Sequence, residues 1–304
     1  MTVTYRQAGS EDIPNVTKVN RIALNEVHQR HGFGDQQADL NEPPNPFFHF
    51  TLEHEPRGFW VAEDDGEIVG MTISWIRGTF WFLSYLFIMP ARQGRGIGRT
   101  LLEKALEYGR DTDITNRALI TGAFNPVSIG LYTHYGMYPR EPLYMMEAEA
   151  VNVRSTDAET EQLDDEKLEA SQQSLGILAA IDKHVMGHTR DNHHQYMLNS
   201  KIAKCYLFRK ENRPEAYAYI WCNGHVGPVA VISPSSLSPV MKTSLAVAAC
   251  QDTSKVSLFV AGSNEQAMSI ALECRMRVVM PSILMSSKPF GNWANYLFHS
   301  PPLM

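Results

Sequence analysis

The sequence predicts an α/β (α+β) protein of two similar domains, each a mixed, mostly antiparallel twisted sheet flanked by helices. A strand, a glycine-rich turn and a helix follow one another between residues 83 and 106. A second strand, at residues 118–124, leads into an Asn-Pro helix start. The chain has 304 residues, 44% of them hydrophobic, which is enough for two cores.

The first half alternates short strands with helices. Residues 3–6 are predicted as a strand, and Ser10-Glu11-Asp12 as the start of a helix that runs to about Glu26. Residues 58–63 and 68–75 form a hairpin, and residues 80–89 are the third strand of that sheet. The polar stretch from Gly32 to Pro46 is expected to be a flexible loop.

The glycine-rich turn is the most informative segment. It reads Gln93-Gly94-Arg95-Gly96-Ile97-Gly98 and is followed by Arg99-Thr100 at the start of a helix. Glycines let backbone N–H groups point at one spot, and the helix adds its unpaired first-turn N–H groups, so the pattern predicts a cradle for a phosphate or pyrophosphate. A Walker loop would need Lys before the Ser or Thr, and a dinucleotide fingerprint would need a different glycine spacing. An ordinary glycine turn is the remaining alternative.

A second motif follows at Asn125-x-x-Ser128-x-x-Leu131-Tyr132-x-x-x-Gly136-Met137. Together, in this order, the two motifs resemble the landmarks of the GNAT acyltransferase superfamily. The resemblance covers residues 1–145 firmly and 165–304 loosely. It implies a tandem GNAT protein with acetyl-CoA as co-substrate and no metal.

The resemblance also implies which residues bind the cofactor. The strand before the turn would pair with pantetheine, the turn would hold the pyrophosphate, and the second motif would contact the pantetheine arm. These residues are Leu86, Phe87, Ile88, Gln93, Gly94, Arg95, Gly96, Ile97, Gly98, Arg99, Asn125, Ser128 and Tyr132.

Tyr132 stands where this family places the acid that protonates the leaving thiolate; a packing role is the alternative. No carboxylate lies where many relatives carry a base. Water held by Ser84 or Tyr85 is one route for deprotonation, and a group such as Glu26, His28 or His134 is another.

The acceptor side has its own candidates. We expect Glu26, His28, Trp75, Trp81 and Tyr85 there, with core packing as the alternative for the aromatic residues. The loop from Gly32 to Pro46 would act as a lid over this side.

The second half resembles a decayed copy of the first; the alternative is that any α/β segment can be aligned in this way. Pro90 aligns with Pro234 and Leu101 with Leu245, which places Val240 opposite Gly96 and Lys242 opposite Gly98. The following motif aligns Asn125 with Asn264, Met137 with Met276 and Tyr132 with Ala271. We therefore predict a GNAT domain at residues 1–147 that binds acetyl-CoA and a degenerate domain at 165–304 that shapes the acceptor site, joined by an acidic linker.

Bulk properties narrow the class of protein. The net charge of -6 argues against nucleic acid as a partner. No apolar run approaches a membrane span and no signal peptide is recognisable, so a cytoplasmic protein is expected. Four widely spaced cysteines, in no C-x-x-C pair, predict reduced core residues, and the eleven histidines predict hydrogen-bonded or solvated side chains without a metal site.

The function predicted from the sequence is a CoA-dependent N-acyltransferase. It would transfer acetyl to an amine of a small molecule or peptide by direct attack on the thioester. The alternative is an acyl-CoA-binding sensor or docking module without turnover. The identity of the acceptor and the oligomeric state do not follow from the sequence.

Overall fold

The structure is a computed structural model that describes residues 3–33, 43–154 and 164–304. It divides into two compact units, Met1–Leu119 and Ile120–Met304. The residues between 155 and 163 of the predicted linker, and those between 34 and 42 of the predicted lid, lie outside the described residues.

The first unit holds a sheet with helices packed on it. Its elements are β1 (Thr4–Gln7), α1 (Ile13–Arg30), α2 (Pro46–His54), β2 (Phe59–Asp64), β3 (Glu67–Arg77), β4 (Phe80–Ile88) and α3 (Ile97–Tyr108), followed by β5 (Asn116–Gly122), which runs into the second unit. The strand order is β1-β2-β3-β4-β5. The pairs are antiparallel except β4 with β5, which is parallel.

Helix α3 packs against the sheet of the first unit at a glycine. Ile97 and Leu101 of α3 are buried in one cluster with Ala62 and Val69 of the sheet. A Cβ at Gly70 would lie 2.8 Å from the Ile88 side chain and 3.1 Å from Leu101. Gly70 therefore lets the helix that follows the glycine turn sit close to the sheet.

The second unit repeats this architecture and adds to it. Its further elements are α4 (Pro126–His134), β6 (Tyr138–Glu149), α5 (Ala150–Arg154), β7 (Asp164–Leu168), α6 (Gln172–Met186), α7 (Asp191–Asn199), β8 (Ala203–Lys210), β9 (Arg213–Trp221), β10 (His225–Val231), α8 (Leu237–Ala249), β11 (Lys255–Ala261), α9 (Glu265–Glu273), β12 (Arg277–Ser286) and β13 (Tyr296–Phe298). These strands are ordered β12-β6-β11-β13-β10-β9-β8-β7. The mostly antiparallel sheet predicted from the sequence is confirmed.

The sequence repeat and the compact units divide the chain at different places because β6 pairs with strands of the second half. It is antiparallel to both β11 and β12. Leu143 of β6 and Ser282 of β12 hold equivalent positions in the two sequence repeats and face each other, so the β6–β12 pairing is pseudo-symmetric about them. The N–H of Ala123 donates to the carbonyl of Pro281 at 3.2 Å, and the equivalent N–H of Gly262 donates to Pro142 at 2.7 Å.

Some predictions made from the sequence are wrong. Residues 147–154 of the expected linker are the end of β6 and helix α5, because Ala150 and Val153 are buried and provide an apolar face. The expected loop is followed directly by α2, a helix that was not predicted, which Asn45 caps by accepting the N–H of Phe47. Cys205 and Cys274 are buried as predicted, but Cys222 and Cys250 are exposed.

A charged network is buried inside the second unit. Arg190 donates through Nε to Asp182 at 2.8 Å and through Nη2 to the Tyr217 hydroxyl at 2.7 Å. His194 joins the same carboxylate, 2.9 Å away through Nε2. Burial alone would raise the pKa of Asp182, but Arg190 and His194 outweigh it and hold that pKa well below its usual range. The network is therefore an ionised, hydrogen-bonded part of this core.

His225 makes a testable contribution to the stability of the protein against acid. Burial lowers the pKa of its imidazole to about 4, against an ordinary value of about 6.5. Unfolding therefore takes up a proton as pH falls through this range, and the stability linked to neutral His225 is complete above about pH 6.5 and lost towards pH 4. Between pH 7 and 5 this loss amounts to roughly 2 kcal/mol.

We expect urea denaturation at the two pH values to give a smaller difference for His225→Gln than for the wild type, by about that amount. An identical pH dependence in both proteins would mean that His225 is not buried in its neutral form.

Candidate functional site

The glycine turn adopts the conformation that only glycine favours. Gly94 and Gly96 have φ of +75° and +83°, and Gly96 is the N-cap of α3. A Cβ at either position would meet nothing within 4 Å, so these glycines are required by backbone conformation and leave open space above the turn. Gly98 is not left-handed, and its Cβ would make ordinary contact with Ile88, 3.6 Å away.

The turn presents donors without acceptors. In the part of the chain that the structure describes, the backbone N–H groups of residues 94–99 have no hydrogen-bond acceptor. Residues 93–96 are exposed, and the side chains of Arg95 and Arg99 are exposed without a carboxylate partner among the described residues. Six N–H groups, two cations and a helix N-terminus together favour an anion.

Strand β4 leads into this turn with one edge only partly paired. Its parallel pairing with β5 runs from Phe80 opposite Asn116 to Leu83 opposite Leu119, whereas β4 continues to Ile88. The predicted pantetheine-binding residues Leu86, Phe87 and Ile88 lie in this last part and are half-buried. Gln93 closes the turn by donating its side-chain amide to the carbonyl of Ile88 at 3.1 Å.

The Asn125 motif lies in the second unit and forms the predicted helix. Asn125 accepts the N–H of Ser128 at 3.2 Å and so caps α4. The helix ends at His134, Gly136 follows its C-cap with φ of +77°, and the N–H of Met137 donates to the carbonyl of Tyr132 at 3.1 Å.

Tyr132 is buried on α4. Burial raises the pKa of its phenol above the ordinary range, so the group keeps its proton at physiological pH. A phenol that stays protonated can donate a hydrogen bond or a proton but cannot act as a base at neutral pH.

The predicted acceptor-side aromatics are packed in the core of the first unit. Trp75 and Trp81 are 1% exposed; Trp75 stacks on Phe82, and Trp81 donates its ring N–H to the carbonyl of Ala105 at 3.1 Å. Their packing supports the structural alternative for both residues.

Tyr85 contacts a helix that the sequence analysis missed. Its ring meets Phe48 of α2 edge-on at 5.2 Å and lies 6.3 Å from Phe47. The Asn45-Pro46 pair that starts α2 is a cap-plus-proline signal like the one at Asn125-Pro126 and could have revealed this helix.

The candidates for deprotonation differ in exposure. Ser84 is half-buried on β4, and His134 is exposed at the end of α4. Glu26 forms an ion pair with Arg30, and its other carboxylate oxygen is buried without a hydrogen-bond partner among the described residues. His28 is buried on the same helix, with its ring edge-on to Phe33.

The second repeat lacks the turn and fills the strand edge. Pro90 and Pro234 both start a short 3₁₀ turn, but α8 begins directly afterwards at Leu237, so that Val240 is helical and buried where the first repeat has Gly96. β13 pairs with β10 at Val229 and with β11 at Phe259. The chain's own residues thus occupy the edge that stays open on β4.

In residues 3–33, 43–154 and 164–304, no cluster of three or more His, Cys, Asp or Glu side chains has the arrangement of a metal site. None of the helices in these ranges has the length and hydropathy needed to cross a membrane.

Comparisons with known proteins agree with the geometry. Residues 34–137 match the acetyltransferase (GNAT) family. An uncharacterized N-acetyltransferase of Archaeoglobus fulgidus is 29% identical over 130 residues, which are 40% of this chain and 82% of the relative.

Among solved structures, an assigned acetyltransferase of Pyrococcus horikoshii superposes with a TM-score of 0.75 at 18% identity, covering 99% of this chain and 95% of its own. A tandem GNAT protein from the clavulanic acid biosynthesis pathway superposes with a TM-score of 0.63 at 12% identity. The match covers 95% of this chain and 99% of that protein's chain. Residues 34–137 are thus similar to the GNAT acetyltransferase family, and the fold of the whole chain is similar to that of a tandem GNAT protein.

Proposed function

We propose that the protein transfers an acetyl group from acetyl-CoA to an amine of a small molecule or peptide, by direct attack of the amine on the thioester. The observation that carries this proposal is the turn of residues 94–99, whose N–H groups have no acceptor among the described residues. A pyrophosphate would satisfy these donors, and Arg95 and Arg99 would add charge.

The remaining roles follow the motifs of the family. The open edge of β4 at Leu86, Phe87 and Ile88 would pair with the amides of pantetheine, as an added strand does. Asn125 and Ser128 would contact the same arm, and Tyr132 would protonate the departing thiolate. We place the reaction in the cytoplasm.

Release of free CoA thiol from acetyl-CoA tests this function. The purified protein is incubated with acetyl-CoA and a panel of aliphatic, aromatic and peptide amines, and thiol release is compared with the same mixtures lacking either amine or protein. Amine-dependent release, with an acetylated product of matching mass, supports transfer. CoA binding with no release for any amine would favour the non-catalytic sensor.

We further expect one CoA per chain. The second repeat has a buried helical Val240 in place of Gly96, and β13 occupies the strand edge that pantetheine would need. Titration calorimetry should therefore give a stoichiometry of about one for the whole chain. Two equivalent sites would show that the second repeat has kept a cofactor site.

A further inference from the structure

We propose that Asp64 is a positioning residue for the cofactor, acting through Arg92 to hold the glycine turn in its binding conformation. This inference rests on the proposed function, because it assumes that the turn holds the pyrophosphate of CoA. Asp64 is the last residue of β2, and Arg92 immediately precedes Gln93, where the turn begins.

The ion pair has a buried acid and a partly exposed base. Asp64 Oδ2 lies 3.0 Å from Arg92 Nε; the Asp64 side chain is 4% exposed and that of Arg92 31%. The second carboxylate oxygen of Asp64 and Arg92 Nε are both buried without a hydrogen-bond partner among the described residues, so the pair is held by charge. Burial of a carboxylate is costly unless a charge compensates it, so Asp64 restrains the position of the arginine.

Arg92 is one of three attachments that fix the turn to the sheet. Gln93 binds the carbonyl of Ile88, and Ile97 is buried against Ala62 and Val69 on the far side of the turn. Between these attachments Gly96 is tied to α3 through its carbonyl, which accepts the N–H of Thr100 at 3.1 Å, and a Cβ at Gly94 or Gly96 would meet nothing within 4 Å. Glycine has access to many backbone conformations. Without the Arg92 attachment the ligand would have to order the turn itself, and this ordering weakens binding.

If Asp64 acted on CoA only through its charge, the Asp64→Asn substitution would change CoA affinity in the direction opposite to that expected from positioning. Replacing Asp64 by Asn removes a negative charge near a site for an anion and releases the charge of Arg92, which would strengthen CoA binding. Positioning predicts weaker binding. The direction of the change therefore separates the two explanations.

The test measures CoA affinity and steady-state kinetics for Asp64→Asn in the full chain. We expect the Kd of CoA and the KM of acetyl-CoA to rise about tenfold, with kcat at saturating acetyl-CoA little changed. S-acetylpantetheine, a donor without the pyrophosphate, should react equally well with the wild type and the variant. A general disturbance of the fold would instead affect both donors.

Glu63→Gln is the matched control. Glu63 precedes Asp64 on the same strand and forms an ion pair of similar length, 3.1 Å, with Arg6. Its loss should leave CoA affinity unchanged. Arg92→Gln removes the exposed partner and keeps the inference testable if Asp64→Asn folds poorly; it should reproduce the weaker binding.

The outcomes are distinct from those of the proposed function. Failure of the wild type to bind CoA overturns both the proposed function and this inference. Binding by the wild type together with unchanged or tighter binding by Asp64→Asn and Arg92→Gln overturns this inference alone. An equal loss in Glu63→Gln would also overturn it, because the effect would then belong to the strand and not to the Arg92 attachment.

Discussion

Gly96→Val is expected to weaken CoA binding by at least about 100-fold. The added side chain would project into the open space above the turn, and valine strongly disfavours the left-handed φ of +83° that aims the neighbouring N–H groups. Charge-assisted hydrogen bonds contribute about 1.5–3 kcal/mol each, so misaligning two of them is sufficient for this loss. Titration calorimetry with CoA measures the effect directly.

Gly187→Val provides a control with the same backbone strain. Gly187 ends α6 with φ of 84° and ψ of -6°, and Gly96 has φ of 83° and ψ of -6°. A Cβ at either glycine would meet nothing within 4 Å. Both variants should lose a similar stability, about 1–2 kcal/mol, but only Gly96→Val should lose affinity for CoA. Equal affinities in the two variants would exclude the turn as the phosphate site.

The two motifs could be predicted from the sequence because each is local. A left-handed glycine turn at a helix start, and an asparagine cap followed by proline, depend on neighbouring residues whose spacing is visible in the chain. The structure has both features at Gly94 and Gly96 and at Asn125. The decay of the second repeat was visible for the same reason, since Val240 cannot replace a left-handed glycine.

Features that depend on contacts between residues far apart in the sequence could not be predicted in this way. The acidic residues near Glu147 indicated a linker, yet Glu147 lies on β6 and forms an ion pair with Lys255 of β11, 3.2 Å away. The role of β13 also depends on two strands remote in sequence. Asp64 carried no recognisable motif, because its importance comes from a contact with Arg92 across the sheet.

The aromatic residues illustrate a different limit. Trp75, Trp81 and Tyr85 are equally compatible with a core or a binding surface when only their strand positions are known. Burial of the two tryptophans in the interior favours core packing for them. Tyr85 packs against Phe48 of α2, a helix whose start signal, Asn45-Pro46, is present in the sequence.

Tyr132→Phe is expected to lower kcat by roughly ten- to a thousandfold, as the loss of a general acid does. The ring is retained, so the KM of acetyl-CoA should change little. Ala271 holds the equivalent position in the second repeat, for which we propose no catalysis. Tyr296→Phe is a control that removes the hydroxyl of another buried tyrosine, which lies on β13. It should leave kcat unchanged.

Varying the pH and the leaving group of the thioester gives two further tests of Tyr132 as the acid. Burial raises the pKa of Tyr132 above the ordinary phenol value of about 10, and an acid catalyst is lost only as pH rises through its pKa. The ratio of wild-type to Tyr132→Phe kcat should therefore stay constant from pH 7 to about 9.5. It should shrink for an acetyl thioester of an aromatic thiol, which leaves readily without a proton. A variant with wild-type kcat on acetyl-CoA would make Tyr132 a packing residue and assign the proton to water.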